Sequence, residues 1–497
     1  MTTEKPKVAL ALYVKSEFSD IAGWVAWHAA LGIQRFYIYE DGSTDGTWEI
    51  LEAASEIYDI QIEQTDTISE PDFYYRQRNS YIDAIRRSAE DGFDWIGLLD
   101  GDEYVYLCED DNISDFFQKF DHADAVAFSW RIYGSSGRIV RPHQIAVEAY
   151  TRHSTPAFGD NLHIKSFVRP GKTGNHYHNP HWFDVPAEKY ARPSGEMVDR
   201  SGAGQSIQWS HAFIMHFVCR SMEHYIARIK RRKNFDIGES LDNWTRFDLN
   251  EAEDNLPLRL IPRAKSHLCK IHDQMVEKAI RILRTKVWKG TDYGTKIIDT
   301  KYDRYEIQSF FETKLCVAKF KNIVCHAFDE VIDNNNYKPI IGTVIPETPE
   351  IITLSCEGEE YLDINFDKRL SKNCIYRISF LSNKKIALQI PSNNMYMAFL
   401  MPDNGEAGVD ANRRAADNWE NVFLIPVDDY SDSRGPSSTD LVITSKSTAE
   451  DFQKWIAQGD TPPSKERFLR ALYALDSPVR DQILRLVPGL LWHMEYN

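Results

Sequence analysis

Two hydrophobic periods alternate along the first 130 residues. Val8–Val14 is short and apolar throughout, which predicts a strand buried on both faces. Ile21–Leu31 is apolar for longer and predicts a helix. Arg35–Tyr39 (Arg-Phe-Tyr-Ile-Tyr) is aromatic and β-favouring, and it runs into Glu40-Asp-Gly-Ser-Thr-Asp-Gly46, dense in turn formers. Thr47–Tyr58 then predicts a helix, Ile60–Ile62 a short strand, and Phe73–Ala89 a long polar helix closed by Gly92. Trp95–Leu99 predicts a strand leading straight into Asp100-Gly-Asp-Glu103, and Ala125–Trp130 a further strand. This alternation predicts an α/β fold with a mostly parallel sheet and helices on both faces. Such sheets bind ligands beyond the carboxyl ends of their strands. Two of those ends carry acidic loops, Asp41–Asp45 and Asp100–Glu103.

The pattern loosens from Arg131 to His216, where Gly, Pro and His accumulate and strand-like pieces such as His163–Val168 are short. That suits a ligand-binding half built on loops. Met222–Phe235 reads as a basic helix, and helical patterns continue to about Phe328. Pro346-Glu-Thr-Pro349 reads as a linker, Ile351–Val427 as a small β module and Ser431–Thr439 as a second polar break. Beyond it Phe468, Leu469, Leu472 and Leu475 fall at helix spacing. The expected division is a catalytic domain over 1–300, a helical connector over 301–345, a β-rich accessory module over 346–430 and a helical segment over 431–497.

Composition narrows the class. A chain of 497 residues exceeds one ordinary core, and 42% hydrophobic with 27% charged residues is a globular balance. A net charge of −16 opposes general binding to nucleic acid, although Arg228–Lys233 is a local basic patch. Seven cysteines without a C-x-x-C pair fit neither a disulfide framework nor a zinc site, and point to reduced thiols in a cytoplasm. Val8–Val14 is too short and wrongly flanked for a signal peptide or anchor, and no apolar run reaches about 18 residues. The expectation is a chain without a transmembrane segment, reaching any membrane peripherally or through a partner.

Asp100 and Asp102, one residue apart beyond a buried strand, can converge on one hard cation, Mn²⁺ or Mg²⁺, that also bridges to phosphate. An isolated D-x-D is more often an acidic surface turn; the preceding strand and the second acidic loop favour the metal.

Several segments then resemble one group of proteins. Ala9-Leu-Ala-Leu-Tyr-Val-Lys-Ser-Glu-Phe18, Trp24-Val-Ala-Trp-His28, Leu31–Tyr39, Asp41–Thr47 and Asp94–Tyr104 are similar to the family 2-like and family 92-like glycosyltransferases of GT-A fold. Phe128–Gly137, Lys165–Pro170 and His216–Tyr225 resemble later blocks in the same order. Ser16-Glu17 stands where those families usually carry Asn-Glu, and Gly23 where they carry Glu. In the last part of the chain, Asn383–Phe399 and Ala411–Ile425 resemble one repeat of a β-trefoil of the fascin or ricin-lectin kind, which implies a glycan-holding module.

The resemblance implies a hexosyltransferase that takes a nucleoside-diphosphate sugar, inverts the anomeric centre and serves polysaccharide biosynthesis on a glycan or other hydroxyl acceptor. It implies that Glu17, Asp41, Asp100, Arg220 and Lys230 meet the donor. Asp41 reads equally well as an Asx-turn residue. Asp45 reads as the cap of the next helix. The ion would be held by Asp100, Asp102 and His216, with His211 the alternative histidine. Inversion needs a carboxylate base, for which Asp184, Glu148 and Glu188 are the candidates in that order. Trp130, His178, His181 and Trp182 are the acceptor-side candidates. The alternative is a catalytically inactive carbohydrate-binding or scaffold protein of the same fold.

Overall fold

The structure is a computed structural model that describes residues 4–142, 144–173, 177–230, 237–288, 303–319, 323–332, 336–358, 362, 374–381, 385–427, 441–458 and 462–490. It forms two compact units, Met1–Ile271 and His272–Asn497.

In the first unit the strands are β1 Val8–Val14, β2 Arg35–Glu40, β3 Ile60–Gln64, β4 Trp95–Leu99, β5 Glu103–Leu107, β6 Ala125–Ile132, β7 Arg152–His153, β8 Ile164–Val168, β9 Tyr190–Ala191, β10 Ala212–His216 and β11 Ala252–Glu253. The main sheet runs β3-β2-β1-β4-β8-β6-β10-β5, with β9 against β6, while β7 and β11 pair separately. Its first half, β3-β2-β1-β4, is parallel throughout. β8 is antiparallel to both β4 and β6, β10 is parallel to β6, and β5 is antiparallel to β10. The fold is thus mixed α/β, with a sheet that is parallel-rich at one side, as a GT-A-like domain requires. β1 and β4 are buried along their whole length, which is why they read as continuous apolar runs.

The crossover helices explain the remaining pattern. Every residue of Ile21–Ala30 is buried, so that helix is apolar all round. Its Trp24 and Trp27 indoles donate to the carbonyls of Glu103 and Val105 at 2.9 and 2.7 Å, pinning β5. The Phe73–Glu90 helix is capped by Asp72, which accepts from the Tyr74 N–H. Gly97 of β4 is small for a reason: a Cβ there would lie 2.7 Å from Phe167 and 2.9 Å from Leu10. Only Asp100-Gly-Asp102 separates β4 from β5, yet those strands occupy distant places in the sheet. This short turn therefore spans the point where the strand order switches, the position at which such sheets bind ligands.

The second unit is β-rich. Its strands are β12 Asp303–Ser309, β13 Lys314–Ala318, β14 Ile323–Ala327, β15 Tyr337–Pro339, β16 Ile341–Val344, β17 Ile351–Ser355, β18 Cys374–Phe380, β19 Ile386–Gln389, β20 Tyr396–Phe399, β21 Glu406–Arg413 and β22 Asn421–Pro426. The pairings β12-β16-β17-β18-β19-β22 return to β12 and close a ring. The hairpin β13–β14 lies between the first two ring strands in sequence, and β20–β21 between the last two. Ile307, Leu354, Tyr376, Leu388 and Val422 fill the interior.

Three expectations are corrected here. The helical connector expected over 301–345 is largely sheet: its described part holds β12–β16 and one short helix, Asp329–Ile332. The strands are short, and their Asp, Lys and Glu positions face outward, so polar residues masked the alternation. Pro346–Pro349 is no linker either. Glu347 and Thr348 are buried in the turn between β16 and β17, and the Arg467 Nε–H donates to Glu347 at 2.9 Å. The first unit closes at Ile271, inside the helix Ile261–Ile282, rather than near residue 300. The Ser431–Thr439 break lies outside the described residues. The C-terminal helices are present as Ala449–Ala457, Lys465–Ala474 and Ser477–Leu484. Phe468, Leu469, Leu472 and Leu475 are buried there in one cluster with Val276 and Ile280.

Candidate active site

The turn Asp100–Glu103 is built by its own hydrogen bonds. The Glu103 N–H donates to the Asp100 carbonyl at 3.0 Å, and the Asp100 N–H donates to the Glu103 carboxylate at 2.8 Å. Register then places the partners. β5 runs antiparallel to β10 with Glu103 opposite His216, and the Phe217 N–H donates to the Asp102 carbonyl at 2.8 Å. The Asp102 carboxylate consequently lies 3.6 Å from His216 Nε2. Arg228 Nη1, from the helix Met222–Lys230, donates to the other Asp102 oxygen at 3.2 Å. Burial alone would push the Asp102 carboxyl up; the charges of His216, Arg228 and Arg220 outweigh it and hold it well below the usual carboxylate range. Burial would lower His216, and the facing Asp102, Glu103 and Asp100 carboxylates raise it instead.

Asp100 remains 37% exposed, and Lys165 Nζ of β8 donates to it at 2.9 Å. The same fully buried ammonium is 3.1 Å from Glu103, which is also fully buried. Burial pushes Glu103 up to about 7 against the pull of Lys165. Its other oxygen accepts from the Trp130 indole at 2.8 Å. The half-buried Trp130 ring stands 4.2 Å from His216 and 5.2 Å from each of His163 and His181, centroid to centroid. His181 Nδ1–H donates to the Ile164 carbonyl at 2.8 Å, and burial lowers this imidazole to about 3.

Arg220 lies beneath this loop, almost fully buried. Its Nη1 donates to Glu17 and Asp20, each at 2.7 Å, and its Nη2 to the Gly101 carbonyl at 2.9 Å. Glu17, Asp20 and His224 place three potential ligand atoms within 4.8 Å of one another. The guanidinium fills that socket, with His224 Nε2 3.2 Å from Nη1, so the triad is an arginine seat rather than a cation site. Arg220 and Ser16 both take left-handed backbone, at φ 53° and 54°.

The other candidates are dispersed. Asp41 is fully buried. Arg76 donates to both its oxygens at 2.7 and 2.8 Å, Thr65 donates at 2.6 Å and Lys15 at 3.2 Å. It is thus neither an Asx-turn residue nor exposed to a donor as it stands. Asp45 accepts from the Thr47 N–H at 3.1 Å at the start of the next helix. Lys230 is exposed at the end of its helix. Glu148 accepts from Lys265 at 2.9 Å, Glu188 is exposed on the turn Ala187–Lys189, and Asp184 is half-buried. Trp182 is buried and stacks on Tyr190 at 3.9 Å, a core position. His178 is exposed, and Ser210 Oγ bonds His211 Nδ1 at 2.8 Å.

The structure therefore assembles Asp100, Asp102, His216 and Trp130 at one place, with His181 beside them and Glu17 and Arg220 underneath. It adds Asp20, Glu103, His163, Lys165, His224 and Arg228, which sequence reasoning did not assign. One signal for Lys165 was visible: a lysine inside the apolar strand Ile164-Lys-Ser-Phe-Val168 must have a buried counter-charge.

The switch-point sheet and its D-x-D turn define a GT-A-like glycosyltransferase domain. Residues 8–253 match the profile of the family described as Glycosyltransferase family 92. A glycosyltransferase family 92 protein of Oryza sativa subsp. japonica is 25% identical over 163 residues, which is 30% of this chain and 24% of that protein. One of Ricinus communis is 31% identical over 92 residues, 18% of this chain and 15% of that protein. The chain thus spans a quarter or less of these relatives. Among solved structures, S. aureus TarS 1–349 aligns over 56% of this chain and 75% of its own at 14% identity and TM-score 0.26. The same fragment in complex with UDP covers 59% and 94% at 13% identity and TM-score 0.25. Among the described residues, no helix is long and apolar enough to cross a membrane.

Proposed function

We propose that the first unit transfers a hexosyl group from a nucleoside-diphosphate sugar to a hydroxyl of a glycan or glycoconjugate. The observation that carries this is the approach of Asp102 to His216 at the strand-order switch, with Asp100 on the same turn. Two carboxylates and an imidazole suit Mn²⁺, and Mg²⁺ less well. When bound, the ion supplies Lewis-acid neutralisation of the leaving diphosphate.

The residues of the chain do the rest. Arg228 lies beside Asp102 on a helix facing the turn, and is our choice for the diphosphate fork, ahead of the buried Arg220. Trp130 offers an aromatic face to a sugar ring, flanked by His163 and His181. Asp184 takes the acceptor proton in an inverting displacement; Glu148 is less suited because Lys265 already engages it. Seven scattered cysteines, most of them buried, fit a reducing cytoplasm. The ring of the second unit, with hairpins β13–β14 and β20–β21 between its strands, supports reading it as a β-trefoil that holds the acceptor glycan. Residues 359–373, between β17 and β18, lie outside the described residues except for Leu362.

One observation favours the alternative of an inactive carbohydrate-binding protein: both D-x-D carboxylates already have protein cations, Lys165 and Arg228. A screen of nucleotide-sugar hydrolysis with and without Mn²⁺ decides. Turnover of at least one donor, stimulated by Mn²⁺, supports the transferase; binding of a donor without any turnover supports the alternative.

A further inference from the structure

Glu103 has no role in the account above, yet it joins the two sides of the site. One of its oxygens accepts from the Trp130 indole at 2.8 Å. The other accepts from the Asp100 N–H at 2.8 Å and faces Lys165 at 3.1 Å. Lys165 in turn donates to the Asp100 carboxylate at 2.9 Å. Both ends of the Glu103–Lys165 pair are fully buried, so solvent does not replace that contact. The backbone is held as firmly, because the Trp24 indole donates to the Glu103 carbonyl at 2.9 Å.

We infer that Glu103, with Lys165, is a positioning residue that fixes the Trp130 ring and the Asp100 carboxylate relative to each other. The inference rests on the transferase reading for its purpose, since Trp130 serves the sugar side and Asp100 the cation and diphosphate side. The carboxylate is needed because it must receive donors on both oxygens. Glutamine offers one acceptor oxygen and an amide that can only donate, so Glu103→Gln satisfies the indole or the Lys165 side but not both. Lys165→Met keeps the stem and leaves Glu103 without its counter-charge.

The test uses the full chain labelled at the indole nitrogens of its twelve tryptophans. Trp130→Phe identifies the Trp130 signal by its loss. In the unaltered protein that N–H should exchange slowly with solvent; in Glu103→Gln and Lys165→Met it should shift and exchange about tenfold faster or more, as expected when a buried bond is lost. UDP with Mn²⁺ should bind each variant about tenfold more weakly, the usual scale for residues that orient a metal ligand. Using two variants keeps the test open if one fails to fold. An unchanged Trp130 signal together with unchanged UDP affinity overturns the inference. Trp130→Phe adds a third arm, since it removes the donor and replaces the indole by a smaller aromatic face: sugar turnover should fall while UDP affinity stays within about twofold. Should the unaltered protein turn over no nucleotide sugar at all, the transferase reading fails, and the indole signal still decides whether Glu103 positions Trp130.

Discussion

Asp41 and Asp100 follow β2 and β4, the two strands that flank β1, and both open glycine-containing acidic turns. In sequence the loops look alike. In the structure they do opposite things. Asp41 is sealed, with Arg76 across both oxygens and Thr65 and Lys15 completing its shell. Glu40 beside it is equally buried and accepts from the Gly42 and Ser43 N–H groups at 3.1 and 2.6 Å. The Asp100–Glu103 turn instead buries its last carboxylate and leaves Asp100 open and Asp102 partly so. A carboxylate whose lone pairs are all used holds structure together; one with spare capacity beside an imidazole has room for a ligand. The comparison teaches that acidity at a strand end marks a place, and that the residues arriving from distant elements decide its use.

The largest effect that separates the loops concerns turnover. Asp102→Asn should lower sugar transfer beyond the roughly 100-fold seen when a metal's supporting residue is lost, with little change in melting temperature. Rate and thermal unfolding measured on one sample check this; a near-parent rate breaks the comparison. Asp184→Asn belongs to the same series and should lower transfer by about 10²–10⁴ while leaving UDP affinity alone. If Glu148→Gln or Glu188→Gln does so instead, the base is reassigned.

Asp41→Asn should do the reverse and cost about 3–5 kcal/mol of stability, because it leaves the nearly buried Arg76 guanidinium without its partner. Denaturant unfolding reads it. Arg76→Met should recover part of that loss in the double variant; strictly additive losses would show that the pair is not coupled.

Acid sharpens the contrast further. Burial tends to raise the Asp41 carboxyl, but Arg76, Thr65 and Lys15 hold it well below its unfolded value near 3.9. Its stabilisation is therefore complete above about pH 4 and fades as pH falls below that, and Asp41→Asn should flatten this limb of the stability curve. His28 acts higher. Burial lowers it to about 3, and its Nδ1–H donates to Trp24 O while Nε2 faces the Val105 N–H, so it stays neutral in the fold. The unfolded chain binds that proton near pH 6.5, so stability is lost as pH falls from about 6.5 to 3, by at most about 1.4 kcal/mol per pH unit. His28→Gln should remove that slope.

The smallest effect is a control. Arg86 is more than half exposed and pairs with Asp83 and Glu90 on its own helix. Arg86→Ala should change stability by less than about 1 kcal/mol, against the much larger cost at Asp41.

The first half of the sheet was legible because its strands are buried on both faces and end in turn formers; Val8–Val14 and Trp95–Leu99 appear with the expected bounds. The site was legible only where residues neighbour one another in sequence. Asp100 and Asp102 announce themselves, but the partners that set their state, Lys165, Arg220 and Arg228, come from a strand, a strained loop and a helix far along the chain. The seal on Asp41 comes from Arg76, which looks like any polar residue of a surface helix. In the second unit, β12 and β13 were missed because short strands with outward charges lack a clear period, and only pairing with β16 and β22 defines them.

The central claim is that Asp102 and His216 hold the cation that carries the donor diphosphate, while Asp41 only holds the fold. Calorimetry of nucleoside-diphosphate binding with and without Mn²⁺, using the diphosphate of the donor that the hydrolysis screen selects and run on the unaltered protein, Asp102→Asn and a Lys15→Met variant of the Asp41 shell, tests it most directly. Mn²⁺ should tighten that binding in the unaltered protein and in Lys15→Met, and not in Asp102→Asn. Equal enhancement by Mn²⁺ in Asp102→Asn and the unaltered protein would contradict it.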